Sequence, residues 1–453
     1  ADDHNDEILV LINTLIPDRR LEQVPMLIDP LFEVEGAAYR HSSLRSLGKQ
    51  RYYSPTFQEI VAERESQRTT ACPLSHTKIV FPHRTLGVEP SSSRSARRTE
   101  MNINEDNLND LLGRFVGDLG ATMHAGSIVI GEKLGLYKAM ATPNERVTAE
   151  ELAGRTGTNE RYVREWLNAN AAGGYLQYDA DADAYYMTDE QAFVMTNENN
   201  PAYLPGAFIL ATAALKSVPK MIERFKTGDG LGWHEHDGDL FCGTELFFRP
   251  GYIANLVDNW IPALDGVEEK LKAGAKVADV GCGLGSSTII MAKAFPNSEF
   301  IGFDYHDRSI EAAREKAEAA GVADRVKFDV APAKNFPGSG YDLVTFFDCL
   351  HDMGDPIGAA KHVREAMNQD GTWMIVEPFA NDKHEENHNP VGRVYYSAST
   401  IICTPASRSQ EVGLGLGAQA GEGKIREVVS EGGFSRFRRA TETPFNLVLE
   451  ARP

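Results

Sequence analysis

Strand-like and helix-like patterns of apolar positions alternate along residues 266–453. Short apolar runs predict buried strands at residues 277–280, 300–303, 326–330, 343–347 and 372–376. Apolar positions with helical spacing lie between these runs and after them, at residues 286–294, 309–320, 357–368 and 423–431. Two more strand-like runs joined by a short turn close the chain. The pattern predicts an α/β domain with a doubly wound, seven-stranded sheet whose last strand is antiparallel.

Residues 101–200 predict a mainly helical region that ends in a small hairpin. Helical spacing covers residues 108–140, and Thr148 with Glu151 forms a capping box at a helix start. A second amphipathic helix at residues 162–172 is followed by the segment YLQYDADADAYYMT, which predicts two short strands around an Asp/Ala turn. Helix, turn, helix and hairpin in this order predict a winged-helix domain.

The predicted winged helix carries few charges that suit DNA. Its second helix offers Arg161 and Arg164, but Glu160 and Glu165 flank them, and aspartates occupy the hairpin tip. We therefore predict a domain that forms a homodimer and caps a substrate rather than one that binds nucleic acid. A DNA-binding regulator is the alternative. Residues 201–265, which are helical with aromatic insertions, are predicted to form a helical connection and lid.

Composition narrows the class of protein further. The 453 residues include 65 acidic and 46 basic side chains, giving a formal net charge of −19, which is unfavourable for nucleic acid and anionic membranes. The five cysteines are scattered and form no C-x-x-C pair, which favours a reducing, cytoplasmic location. The early apolar run at residues 8–16 is too short to span a bilayer and lacks the features of a signal peptide.

Residues 1–100 differ from the rest of the chain. Prolines punctuate them, and the serine- and arginine-rich stretch at residues 91–98 is typical of a solvated linker. Two interpretations remain open: an extension that is not part of the natural protein, and an arm that docks on a partner.

A glycine loop follows the first strand of the α/β domain. Gly281, Gly283 and Gly285 lie between the strand and a helix, and Asp304 ends the second strand, at a reach that suits ribose hydroxyls. Ser286 stands where a dinucleotide fingerprint has its third glycine. Asp279 precedes the loop and would repel a pyrophosphate but attract an ammonium group. These features predict a site for a nucleoside without phosphates.

The loop resembles motif I of the class I S-adenosylmethionine (SAM) methyltransferases, which have a Rossmann-like fold. The segment around His351, LHDMGD, resembles L-H-D-W-x-D of winged-helix small-molecule O-methyltransferases. The whole chain from about residue 105 is similar to a bacterial winged-helix methyltransferase group often labelled as transcriptional regulators. The resemblance implies that His351 is the catalytic base, that Glu377 orients it, and that the protein methylates a hydroxyl group of a small molecule. SAM would become S-adenosylhomocysteine (SAH) in this reaction.

The same resemblance implies a set of binding residues. The cofactor would contact Asp279, Gly281, Cys282, Gly283, Gly285, Asp304, Tyr305, Ala333, Lys334 and Asp348. The substrate pocket would include Trp233, His234 and Met353. Two departures matter: Met353 replaces the tryptophan of the motif, and Pro332 replaces an aspartate that many relatives carry after the third strand. Adenine would then be bound by backbone groups near Ala333 and Lys334.

Three other motifs in the sequence suggest different chemistry. The segment 384–388 matches H-E-x-x-H but precedes Asn389-Pro390 without an apolar helical face, so we do not expect a zinc site. His234 and His236 alone are a weak metal signal. The segment GLGLGAQAG at residues 413–421 follows no buried strand and is expected to be a mobile part of the pocket. Methylation of nitrogen or carbon remains the alternative to methylation of oxygen.

Overall fold

The computed structural model describes residues 103–453. The predictions for residues 1–100 lie outside the described residues. The described chain begins with the elements of a winged helix: α1 (Glu105–Lys133), α2 (Leu136–Ala139), α3 (Ala149–Thr156), α4 (Glu160–Ala172), β1 (Gln177–Asp179) and β2 (Ala184–Tyr186). The helical pattern at residues 108–140 corresponds to two helices, and Gly135 adopts a left-handed φ of 68° between them.

Local sequence explains the winged-helix elements. Thr148 and Glu151 form the predicted capping box, with the Glu151 amide donating to Thr148 Oγ1 at 3.2 Å. β1 pairs with β2 in an antiparallel hairpin. Trp166 on α4 packs edge-on against Tyr137 and donates from its indole N–H to the carbonyl of Ser127 on α1. The predicted winged-helix fold is confirmed.

The connecting region is helical, as predicted. After α5 (Asp189–Thr196), which ends the winged-helix region, it contains α6 (Pro205–Leu215), α7 (Val218–Thr227), a short 3₁₀ helix (Trp233–Glu235) and α8 (Asp239–Asn255). α8 continues into a π-helical turn (Leu256–Trp260). α6 and α8 lie in close contact because both carry glycine where they meet. A Cβ atom at Gly206 would lie 2.5 Å from the Leu246 backbone, and one at Gly243 would lie 2.4 Å from the Leu210 amide nitrogen.

The α/β domain has the predicted seven-stranded sheet. After α9 (Val267–Ala273), its elements are β3 (Lys276–Val280), α10 (Ser286–Ala294), β4 (Glu299–Asp304), α11 (Asp307–Ala319), β5 (Val326–Val330), β6 (Tyr341–Phe347), α12 (Pro356–Ala366), β7 (Met367–Pro378), α13 (Pro390–Ile401), α14 (Cys403–Arg408), α15 (Gly421–Glu431), β8 (Arg436–Glu442) and β9 (Asn446–Arg452). The strand order is β5-β4-β3-β6-β7-β9-β8, and β9 runs antiparallel to both β7 and β8.

Two apolar layers cover the two faces of this sheet. One layer contains Val277, Phe300 and Met374 together with α10 and α11, whereas the other contains Ala278 and Trp373 together with α12 and α15. Because both faces are buried, the central strands are apolar at nearly every position, which is the pattern that predicted them. No helix in residues 103–453 is long and apolar enough to cross a bilayer.

Candidate active site

The glycine loop joins β3 to α10 at the carboxyl edge of the sheet. Gly281, Gly283 and Gly285 have φ angles of 76°, 52° and 80°. Residues with a Cβ atom rarely adopt these left-handed backbone angles, whereas glycine adopts them readily. A Cβ atom at Gly281 would lie 2.7 Å from the Cys349 sulfur, whereas one at Gly283 would meet no atom within 4 Å. The middle of the loop therefore exposes its backbone to open space, as close approach by a ligand requires.

Asp304 at the end of β4 holds the glycine loop in place. Its Oδ2 accepts the Gly283 amide and its Oδ1 accepts the His306 amide, both at 2.9 Å. Burial raises the pKa of Asp304, and these backbone hydrogen bonds oppose the rise. The carboxylate lines the cavity described below, where it can still accept hydrogen bonds from a bound ligand.

Asp279 precedes the glycine loop on β3, as the sequence predicted, but its side chain is turned into the protein. It is fully buried, and its carboxylate accepts hydrogen bonds from the hydroxyls of Ser287, Thr288 and Thr345 at 2.7, 2.6 and 3.0 Å. It does not line the cavity. Its hydrogen-bond partners are hydroxyl groups of the protein, and contact of Asp279 with a ligand's ammonium group stays a prediction. Asp279 instead fixes the first turn of α10 to β3 and β6.

A cavity of about 460 Å³ opens above the glycine loop. The predicted binding residues that line it are Gly281, Cys282, Gly283, Asp304, Tyr305, Ala333, Asp348, Trp233, His234 and Met353. Gly285 and Lys334 do not line it. The Lys334 ammonium pairs instead with Asp355 and Glu411, at 3.2 and 2.7 Å. A cavity of this size, set over a bare glycine backbone, suits a nucleoside ligand.

One face of α8 supplies cavity residues that the sequence analysis missed. Phe241, Glu245, Phe248 and Tyr252 are spaced by three or four positions and all line the cavity. That spacing was the available signal, but only contact with the sheet shows which face of α8 is used. Asp352, Ser409 and Gln410 were missed as well.

Two loops meet at the cavity wall. The Leu231 amide donates to the Pro405 carbonyl at 2.9 Å, and a Cβ atom at Gly230 would lie 2.0 Å from the Ser409 amide nitrogen. The indole N–H of Trp233 donates to Asp352 Oδ2 at 2.8 Å. The connecting region and the α/β domain thus close this side of the cavity together.

His351 and Glu377 form a buried pair beyond the ends of β6 and β7. His351 Nδ1 lies 2.5 Å from Glu377 Oε2, and Glu377 Oε1 accepts the Leu350 amide at 2.9 Å. The thiol of Cys403 is the second polar neighbour of the imidazole. Burial acts to lower the pKa of His351, but Glu377 and Cys403 raise it well above its usual range. His351 itself does not line the cavity, although Cys349, Asp352 and Met353 do.

Asp348, three residues before His351, lines the cavity. It has a left-handed φ of 51°, and its carboxylate accepts hydrogen bonds from the Tyr252 hydroxyl and the Asn446 amide, at 3.1 and 2.9 Å. Burial, with a further contribution from Glu377, raises the pKa of Asp348 to about 8. A left-handed backbone at a residue other than glycine is strained, which is typical of functional sites.

The other motifs do not form metal sites in the described chain. His384–Asn387 is a single 3₁₀ turn, and within residues 103–453 no group of three or more His, Cys, Asp or Glu side chains could hold a metal ion. His236 is buried and bonds Ser217 through Nδ1 at 2.7 Å. The glycine-rich segment at 413–421 contacts the 3₁₀ turn at Leu350–Asp352, where the Gly417 amide donates to the His351 carbonyl.

The sheet order, glycine loop and acidic strand end together define the class I methyltransferase fold. Residues 271–414 match a family described as a methyltransferase domain, and residues 122–197 match an Rv2258c-like winged HTH domain. The chain therefore carries a winged-helix domain followed by a methyltransferase domain. It is the second of these that contains the glycine loop, Asp304 and the His351–Glu377 pair.

Individual relatives agree with this assignment. The 27-O-demethylrifamycin SV methyltransferase of Amycolatopsis mediterranei (strain S699) is 36% identical over 88 residues, which are 19% of this chain and 32% of that protein. The chain spans less than half the length of this and other curated methyltransferases that it matches.

Solved structures share the fold over most of their length. Human N-acetylserotonin methyltransferase in complex with SAM has a TM-score of 0.58 at 14% identity, covering 78% of this chain and 99% of that one. An O-methyltransferase family protein from Burkholderia thailandensis has a TM-score of 0.56 at 19% identity, with the same coverage. At these identities the likeness establishes the fold.

Proposed function

We propose that the protein transfers a methyl group from SAM to a hydroxyl group of a small molecule. The observation that carries this proposal is the cavity over the bare glycine loop, bordered by Asp304, within a methyltransferase domain. Solved relatives of the same fold bind SAM or SAH. Several are named as O-methyltransferases, which favours oxygen over nitrogen or carbon as the atom methylated.

The residues around the cavity suit this cofactor. Asp304 would accept the ribose hydroxyls, and the backbone at Gly281–Gly283 would contact the amino-acid part. Tyr305 and Ala333 would border the adenine. When bound, SAM supplies a methyl group on a sulfonium and becomes SAH on losing it. The protein's task is then to hold the acceptor in line and to take up its proton.

His351 is the proposed base. With a proton on Nδ1 directed at Glu377, the free Nε2 can accept the hydroxyl proton, and Glu377 stabilises the imidazolium that forms. In this structure the His351 ring is buried beside the thiol of Cys403. To reach Nε2, the acceptor would have to displace the groups that pack around this thiol. The segments that make those contacts, α14 and residues 413–421, would then be the ones that adjust to the acceptor.

The pH dependence of kcat/KM should report the His351–Glu377 pair. Because only the neutral ring accepts a proton, kcat/KM should rise with pH and level off above the raised pKa of His351. Glu377→Gln removes the opposing charge, so the pKa of His351 falls and the acid limb should move down by about 1–3 pH units. Glu411→Gln, a change at an exposed carboxylate, should leave the limb in place. An unmoved limb in Glu377→Gln would assign the titration to another group.

DNA binding is the less favoured function. On α4, Arg161 pairs with Glu165 and Arg164 pairs with Glu160, so both candidate phosphate contacts are already neutralised. At the hairpin, Asp183 lies 3.9 Å from the Arg164 guanidinium, and Asp179 pairs with Arg146. A phosphate backbone would have to displace these acids, which disfavours electrostatic binding.

The partner that we propose for α1 is a second copy of the chain. One side of the helix exposes a row of large apolar side chains: Leu108, Leu111, Leu112, Phe115, Val116, Leu119, Met123 and Ile130. The residues of α1 that are buried in the chain lie on the opposite side. Eight such half-exposed side chains present on the order of 800 Å², the contribution of one partner to a standard interface. A two-fold arrangement would cover this row on both copies at once.

The apolar row gives a test of the homodimer. We expect the wild-type protein to be a dimer at micromolar concentration and Leu111→Glu with Phe115→Glu to be a monomer, because charge would be buried in the interface. Ala121→Glu, at an exposed position on the opposite side of α1, should remain a dimer. Light scattering coupled to size-exclusion chromatography measures the mass, and a monomeric wild-type protein would overturn the proposal.

The function itself is tested by calorimetric titration of the wild-type protein with SAM and SAH. Micromolar binding of both supports a methyltransferase, and screening of hydroxylated metabolites for SAH formation then identifies acceptors. A protein that binds neither would leave the methyltransferase domain without its proposed cofactor and would favour a purely structural or regulatory role.

We also propose a cytoplasmic location, which suits the unpaired Cys242, Cys282, Cys349 and Cys403.

A further inference from the structure

Glu245 brings a carboxylate from α8 to the start of α10, where the glycine loop ends. Only 9% of its side chain is exposed, and it lines the cavity. Glu245 Oε1 accepts the hydroxyl of Ser286, the first residue of α10, at 2.5 Å. Asp279, the acid that the sequence predicted for an ammonium group, does not line the cavity. The cavity wall therefore offers another carboxylate beside the glycine loop, and it comes from a distant helix.

Neighbouring elements on both sides of α8 hold Glu245 in position. Gly243 allows α8 to approach α6 closely, because a Cβ atom there would lie 2.4 Å from a backbone nitrogen of α6. On the other side, the ring of Phe241 stacks on His306, with the ring centroids 4.3 Å apart and the planes inclined by 15°. Glu245 itself pairs with Lys316 on α11. The carboxylate is therefore fixed beside the first turn of α10 before any ligand binds.

The other three acids of the cavity wall are placed differently. Both oxygens of Asp304 accept backbone amides, and this acid is the proposed partner of the ribose. Both oxygens of Asp348 accept side-chain donors, and burial raises its pKa to about 8, so it is mostly protonated at neutral pH. Asp352 belongs to the turn that carries His351, beyond the end of β6. Among the four acids, Glu245 is the one that contacts the first turn of α10.

Glu245 has capacity for a further hydrogen bond. A carboxylate has about four acceptor positions, and Ser286 and Lys316 each donate to one oxygen of Glu245. Lys316 does not line the cavity, and 39% of its side chain is exposed. Water therefore screens the charge of Lys316 more than that of Glu245, so a ligand in the cavity meets the carboxylate. Within residues 103–453, the basic side chains that do line the cavity are His234 and His306.

We infer that Glu245 binds the ammonium group in the amino-acid part of SAM and SAH. The amino-acid part is proposed to lie on the glycine loop, and Glu245 contacts Ser286 directly after that loop. A hydrogen bond from an ammonium group to a carboxylate is roughly twice as strong as one between neutral groups. This inference rests on the proposed function. It adds a cofactor-binding residue that comes from the helical connection, outside the matched methyltransferase domain.

Calorimetric titration with SAH and with its deaminated analogue, in which hydrogen replaces the amino group, tests the inference. The wild-type protein should bind SAH at least about tenfold more tightly than the analogue, because only SAH carries the ammonium group. Glu245→Gln keeps an oxygen for the Ser286 hydroxyl but removes the charge. In this variant the preference for SAH should shrink to within about threefold, since affinity falls for SAH but not for the analogue.

Lys316→Met distinguishes binding through charge from a structural bridge between α8 and α11. The change removes the cation paired with Glu245 but leaves the carboxylate, so affinity for SAH should stay within about threefold of wild type or increase. A bridge that acted only by joining the two helices would make Lys316→Met as weak as Glu245→Gln. Glu315→Gln, at the neighbouring exposed acid on α11, is the matched control and should change neither affinity.

The outcomes separate this inference from the proposed function. Binding of SAH by the wild-type protein supports the function whatever the variants do. Three results would overturn the inference alone: equal binding of SAH and its deaminated analogue by the wild-type protein, an unchanged preference in Glu245→Gln, and an equal loss of affinity for SAH in Lys316→Met and Glu245→Gln. Failure of the wild-type protein to bind SAH would overturn both.

Discussion

Replacing His351 with alanine should lower kcat by about a hundredfold to ten-thousandfold once an acceptor is known, because a positioned general base contributes about that much. Affinity for SAH should stay within about threefold of wild type, since His351 does not line the cavity. The rate is measured as SAH formation under saturating SAM and acceptor, and the affinity is measured by calorimetry.

A second variant guards against a folding defect. His351→Ala leaves the buried Glu377 carboxylate without its imidazole partner, which can destabilise the protein. His351→Asn retains an N–H near the position of Nδ1 but has no equivalent of Nε2, so it should fold and still be slow. His384→Ala, at a histidine of the exposed 3₁₀ turn, should be fully active. A His351→Asn protein with wild-type activity would rule out His351 as the base and point to methylation of a nucleophile that needs none.

Replacing Asp304 with alanine should weaken the binding of both SAM and SAH by about a hundredfold, equivalent to about 2.7 kcal/mol. Two effects add: the ribose hydroxyls lose a charged acceptor, and the Gly283 amide loses the partner that positions the glycine loop. Calorimetric titration of the two proteins side by side gives the ratio of dissociation constants directly.

Two further variants interpret that ratio. Asp304→Asn should fall between wild type and alanine, because an amide oxygen can replace only one of the two accepted backbone hydrogen bonds. Asp324→Ala removes an exposed acid that pairs with Arg325 and should bind both ligands normally. Undiminished binding in Asp304→Ala would mean that the cofactor lies elsewhere than over the glycine loop.

Much of the fold could be predicted from local sequence patterns. The apolar runs that predicted the strands arise because both faces of the sheet are buried, and Gly281 and Gly283 predicted the loop because only glycine takes their backbone angles cheaply. The predicted start of β7 at residue 372 was late. The strand begins at Met367, which pairs with Tyr341 across an irregular step that leaves no local signal.

The details of the site depend on contacts between distant parts of the chain. Asp279 precedes the loop, yet its carboxylate faces hydroxyls, one of them on Thr345, 66 residues away. Trp233 and Asp352 are separated by 119 positions, and no periodicity joins them. Sequence therefore indicated which residues gather at the carboxyl edge of the sheet, but it could not indicate which of their side chains would face the cavity.

The hydrogen bond between Leu231 and Pro405 has a kinetic consequence. It joins the two loops that carry Trp233 and Ser409 at the cavity wall, so a ligand that entered or left on that side would have to separate the loops. Chemistry and exchange are then successive events with separate barriers, and the slower one sets the turnover number. If the separation of these loops is slower than methyl transfer, the turnover number reports the opening of the cavity and the release of SAH.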